Sequence, residues 1–185
     1  MISVTELRKG VTFELGGEIY RVLGYQHHKP GRGSATIRTR LRNLRTGATI
    51  DKNFISGDRV QDVRLDRRTV QYLYSDGNLY YFMDTDTYEQ SAIPTGVLGD
   101  VVHYLKEGVT IEVLLYRGES LDIELPITVE LRVAHTEPGV RGDTATGATK
   151  GATLETGLVI HVPLFVEEGD TVQVDTRTGE YLTRV

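Results

Sequence analysis

The sequence predicts an all-β protein made of three small β-barrels of the SH3-like or OB type. Short runs of β-branched and aromatic residues alternate with polar ones and are cut by Gly, Pro, Asn or Asp, the pattern of strands joined by tight turns. The dipeptide Thr-Gly recurs as a turn in "LRTGAT", "LETGLV" and "TRTGEY". Helical periodicity is confined to one segment. The expected units are residues 1–63, 64–127 and 128–185. At about 60 residues each they sit near the lower size limit for an independent core, so neighbours should brace one another.

Taken in order, Glu18–Gln26 and Ser34–Leu44 are expected to form a β-hairpin around the stretch "HHKPGRGSA", residues 27–35. Pro30-Gly31 suits the two centres of a type II turn. Gly31 and Gly33 carry nothing that could cover Arg32, so Arg32 should project from a loop tip that also holds Lys29. In the returning strand Ile37, Thr39 and Leu41 alternate with Arg38, Arg40 and Arg42. Period two puts the three arginines on one face, at a spacing suited to phosphates. Thr46-Gly47 then turns the chain into a strand at Ala48–Phe54, and Gly57-Asp58 is a breaker.

The second unit opens with a hairpin of Thr69–Ser75 and Leu79–Asp84 around Asp76-Gly77-Asn78. Its tyrosines 72, 74, 80 and 81 and Phe82 are expected to be core and cross-strand pairs. Pro94–Lys106 is the helix candidate, with Val97, Leu98, Val101, Val102 and Leu105 on one face. Strands resume at Thr110–Tyr116 and Asp122–Leu125. The third unit starts with Thr128–His135, passes through a Gly/Thr-rich loop at 137–157, and continues as Leu158–Val166, Asp170–Val174 and Gly179–Leu182.

Composition narrows the function. The chain has no cysteine, hence no disulfide framework or thiol nucleophile, which favours the cytoplasm. No apolar run is long enough to cross a bilayer and no secretory h-region is visible, so no membrane partner is expected. The net charge of −5 hides an asymmetry. Residues 1–63 hold 11 Lys/Arg against 6 Asp/Glu, whereas 64–127 hold 5 against 11 and 128–185 hold 5 against 9. A basic first third on an acidic body suggests one end that meets phosphates.

The five histidines lack metal-ligand spacing, no nucleophile elbow exists, and "GRGSA" lacks the Lys-Ser/Thr of a phosphate-binding P-loop. Neither an enzyme nor a cofactor or metal site is therefore expected. What remains is recognition of a polynucleotide, through the tip, the arginine strand and the polar 137–157 loop.

Several stretches carry a family resemblance: "VTELRKG", "KPGRG", "TYEQ" (87–90), "VRGDT" (140–144), "ATLETGLVIHVPLFV" (152–166) and "VDTRTGEYLTRV" (174–185). With these, the chain resembles bacterial elongation factor P from end to end. Gly151 departs from it, since the family usually has proline there. The resemblance implies a KOW/SH3-like first domain and two OB-fold domains in a tRNA-like L. It also implies a monomer that binds ribosomal RNA and proteins between the P and E sites, lies along the P-site peptidyl-tRNA, and promotes peptide bonds at consecutive prolines. Arg32 matches the tip position near the peptidyl-transferase centre, flanked by Lys29, Pro30, Gly31 and Gly33. Relatives with lysine there carry a β-lysyl group, while some with arginine are rhamnosylated, which would bring in an arginine-modifying glycosyltransferase. Gly142, Asp143 and Thr144 match a loop near the E-site codon, and Tyr181 and Arg184 match positions facing the small subunit. Two alternatives stand beside this: a paralogue with a different stalling specificity, and a non-ribosomal OB-type nucleic-acid-binding module.

Overall fold

The computed structural model describes residues 1–139 and 147–185. Among them, sixteen strands form three sheets. The first holds β1 (Ile2–Ser3), β2 (Thr12–Leu15), β3 (Glu18–His28), β4 (Thr36–Asn43), β5 (Thr49–Ile55) and β6 (Arg59–Asp62), in the order β1-β6-β2-β3-β4-β5. The second holds β7 (Asp66–Ser75), β8 (Leu79–Asp84), β9 (Gln90–Pro94), β10 (Thr110–Tyr116) and β11 (Glu119–Glu124), in the order β11-β10-β7-β8-β9. The third holds β12 (Thr128–Thr136), β13 (Thr149–Leu154), β14 (Val159–Pro163), β15 (Thr171–Asp175) and β16 (Glu180–Arg184), in the order β14-β13-β12-β15-β16. The architecture is all-β with barrel-like sheets. No helix among the described residues is long and apolar enough to cross a membrane.

The chain divides into two compact units, Met1–Asp66 with Leu114–Leu121, and Arg67–Val113 with Asp122–Val185. In the first, the alternation of β4 works as the sequence demands: Ile37, Thr39 and Leu41 are buried, and Arg38, Arg40 and Arg42 are exposed. Ile37 and Leu41 join Val4, Leu7, Phe13, Val22, Phe54 and Val60 in one core, while the Thr39 hydroxyl donates to Lys52 O at 2.8 Å. Fully burying a side chain such as Leu41 contributes about 1.5–3 kcal/mol. A smaller cluster of Ile19, Leu44, Val63 and Leu121 recruits the distant hairpin segment into the same unit. There Arg45 donates to Gly17 O at 2.8 Å and meets Glu119 at 3.3 Å.

In the second unit, Val129, Leu131 and Val133 of β12 pack with Leu154, Ile160, Val162, Val172 and Val174. The aromatic hairpin is made of cross-strand pairs. Tyr74 stacks on Tyr81 at 4.5 Å, and Tyr72 lies 5.6 Å from Phe82 between ring centres. A register shift between Tyr72 and Tyr74 leaves Tyr74 exposed.

Two expectations from the sequence need correction here. Pro94–Lys106 is not one helix: a single α-helical turn, Thr95–Leu98, passes into the 3-10 helix Gly99–Tyr104. Gly99 ends the turn at φ 55°, a conformation that breaks the α-helical ladder. Leu98 and Leu105 are buried, while Val97 is exposed. The 137–157 stretch is not all loop, because β13 runs through it, its small residues facing β12 and β14. Its glycine and threonine content masked the strand. Strands β1, β2, β6 and β9 lie outside the segments expected as strands.

Candidate nucleic-acid interface

The site is built on the antiparallel pair β3–β4. Its far end runs past the core, so that Tyr25 to Ser34 are all exposed. At the tip sit Lys29, Pro30, Gly31, Arg32 and Gly33, every one exposed. The left-handed residue is Gly33, at φ 115°, whereas Gly31 stays outside that region, so Pro30-Gly31 does not form the expected type II turn. Arg32 makes no ion pair with a described residue.

On the outer face the register aligns three rows. Arg21, Arg42 and Thr49 form one, Gly24, Arg40 and Asp51 the next, and Gln26, Arg38 and Asn53 the third. Arg38, Arg40 and Arg42 have no carboxylate within ion-pair distance among the described residues. Three like charges at alternate positions repel one another, and no described residue of this unit pairs with them. Such a face is ready to meet phosphates. A groove of about 560 Å³ opens over Gly24, lined by Gln26, Arg38, Arg40, Asp51 and Asn53.

Near the base of the arm the Arg8 guanidinium lies 5.0 Å from the Tyr25 ring centre, and His27 meets Tyr25 edge-on at 5.9 Å. Arg8 is fixed there by donating to Thr5 O and Leu7 O. Sequence reasoning missed Gly24, Tyr25, Gln26, Asp51 and Asn53. The alternation of Asp51 and Asn53 with Lys52 was visible, but which neighbours it faced was not.

Gly142, Asp143 and Thr144 lie outside the described residues. The strands leading to and from that stretch are tied: His135 Nδ1 lies 2.8 Å from Glu168 Oε1, and Lys150 Nζ donates to Glu137 O at 2.6 Å. Tyr181 is half-buried, packed against the third sheet's core opposite Val174. Arg184 is exposed but engaged, 3.5 Å from Asp170 Oδ2 and stacked over Phe165 at 5.1 Å. The structure thus brings the tip and the arginine face together on one arm, and holds Tyr181 and Arg184 on another sheet.

Comparison with known proteins gives a consistent picture. Family models match in succession: the elongation factor P KOW-like domain over residues 3–60, the elongation factor P OB domain over 65–123, and elongation factor P, C-terminal, over 129–184. Elongation factor P of Moorella thermoacetica is 54% identical over 184 residues, covering 100% of both chains. Its counterpart from Pelotomaculum thermopropionicum is 54% identical over 185 residues with the same coverage. Among solved structures, eukaryotic translation initiation factor 5A from Methanococcus jannaschii shares the fold, with a TM-score of 0.52 and 24% identity over 67% of this chain and 93% of that one. With KOW-like and OB domains and full-length identity above half, the chain belongs to the elongation factor P family of translation factors.

Proposed function

We propose that this translation factor binds the ribosome between the P and E sites and speeds peptide-bond formation at consecutive prolines. The observation that carries this is Arg32, exposed at the end of an arm whose outer face bears three unneutralised arginines. In this reading the chain works as three domains, 1–63, 64–127 and 128–185, as a cytoplasmic monomer. Arg38, Arg40 and Arg42 grip the P-site tRNA backbone. Arg32 reaches the peptidyl-transferase centre, bare or extended by a glycosyltransferase. The 142–144 loop approaches the E-site codon, and Tyr181 and Arg184 face the small subunit.

The factor supplies no acid or base and is not itself an enzyme. Proline is a secondary amine with φ locked near −65°, so peptidyl-prolyl-tRNA sits poorly for attack. Holding the tRNA end in a reactive geometry removes part of the entropic barrier, while the ribosome makes the bond. The test is translation of a Pro-Pro-Pro reporter with and without the protein. Faster passage through the motif is expected, and equal rates would overturn the proposal.

A further inference from the structure

The tip of the arm is tethered on one side only. From Lys29 to Ser34 no backbone or side-chain group makes a hydrogen bond with a described residue. The last cross-strand pair beneath this segment is His28 with Thr36. One bond lies nearer the tip: the Ser56 N–H donates to Ala35 O at 2.8 Å, on the leg that returns from Arg32. Ser56 belongs to the tight turn between β5 and β6. Gly57 takes φ 116° there, and the Asp58 N–H closes the turn on Ile55 O at 2.9 Å.

Asp58 does more than close that turn. Its Oδ2 accepts from the Ile55 N–H at 2.9 Å, and its carbonyl accepts from the Val4 N–H at 3.1 Å. Val4 is fully buried in the first unit's core. A line of bonds therefore runs from the core through Asp58 and Ser56 to Ala35, and so to the return leg of the tip. A group that works by its placement needs such an anchor, because a misplacement of about 1 Å can cost about 100-fold in rate. The six residues of the tip supply no bonds of their own to provide it.

We infer that Ser56 and Asp58 are positioning residues for Arg32: they anchor the return leg of the tip to the core and set the rate of the promoted reaction, not the affinity for the ribosome. This rests on the reading that Arg32 acts at the reaction centre. The experiment measures Pro-Pro-Pro synthesis, ribosome affinity and melting temperature for full-length variants. Ser56→Pro deletes the linking N–H at the second position of a turn whose third residue is left-handed, where proline is favoured. It should keep or raise the melting temperature, hold affinity within about twofold and slow synthesis by about fivefold. Asp58→Ala should slow synthesis by a similar factor, and Asp58→Asn, which keeps the acceptor, should restore it. Asp76 makes a comparable clamp in the second sheet, its Oδ1 accepting from the Asn78 and Leu79 N–H groups. Asp76→Ala should leave the rate unchanged. A wild-type rate in Ser56→Pro beside a slow Arg32→Ala would overturn the anchor and leave the Arg32 reading standing. Rate and affinity falling together, or equal losses in Asp76→Ala and Asp58→Ala, would overturn the anchor by making Asp58 a part of the fold alone. Wild-type rates in both Arg32→Ala and Ser56→Pro would overturn the Arg32 reading as well.

Discussion

Arg38, Arg40 and Arg42 on β4 and Arg177 and Arg184 from the C-terminal sheet and its last turn look alike in sequence, all lying exposed on short strands or turns, but the structure treats the two sets oppositely. Arg38, Arg40 and Arg42 face solvent with no carboxylate in reach among the described residues. Arg177 meets Asp175 at 2.8 Å, and Arg184 meets Asp170 at 3.5 Å. Exposure therefore does not define a phosphate site. A free guanidinium is needed as well, because an arginine already paired must release its carboxylate before it can take a phosphate.

A closer version of the contrast lies in two turns with nearly the same sequence, "NLRTG" (43–47) and "DTRTG" (175–179). Both end in a positive-φ glycine, and each glycine N–H donates 2.8 Å to the first residue's carbonyl. In both, the first side chain accepts from the backbone N–H two residues on. The amide of Asn43 leaves Arg45 free to reach Glu119, whereas the carboxylate of Asp175 draws Arg177 back onto itself. One atom's difference in the first residue decides whether the arginine serves the turn or a distant strand.

Breaking the comparison at its most exposed point gives the largest effect. Arg32→Ala should slow Pro-Pro synthesis by about tenfold or more while ribosome affinity changes little, the signature of a group used in the transition state more than in binding. Reaction-rate and binding measurements on one preparation would separate the two; full rescue by the variant would mean that Arg32 has no part in the reaction. Next comes the available set. Arg38→Glu with Arg40→Glu should weaken ribosome binding and flatten its salt dependence, by about one unit of log–log slope for each phosphate no longer gripped. An unaltered slope would contradict phosphate gripping. The engaged arginine should matter less: Arg184→Ala should lower affinity by a smaller factor than Arg38→Ala or Arg40→Ala, read in the same binding assay.

The smallest effect sharpens the twin turns. The side-chain bond from Arg177, then the backbone bond from the Arg177 N–H, hold the Asp175 carboxyl down from 3.8 to about 2. A depressed carboxyl stabilises the fold fully above its ordinary value and loses that contribution as pH falls through the folded one. Asp175→Asn, which keeps the acceptor that Asn43 uses, should thus lower the melting temperature above pH 4. The gap should close between about pH 4 and pH 2. A gap that stays undiminished down to pH 2 would mean that the loss comes from packing.

The strands, the arginine face and the exposed tip were legible in the residues because each is a local property. Alternation follows from the two-residue period of a strand, and the Thr-Gly turns follow from a glycine that alone tolerates φ between 74° and 88° there. Other features were illegible because they depend on partners far along the chain. Neither β13, hidden in small residues, nor the capture of Leu121 into the first unit's core has a local signal. The half-burial of Tyr181 depends on strands brought beside it by the fold. Sequence by itself determined which residues share a face and where the chain turns, since backbone geometry fixes both. Tertiary structure decided which charges meet across the chain: an ion pair such as Arg45–Glu119 joins residues 74 positions apart, and no local pattern encodes that meeting.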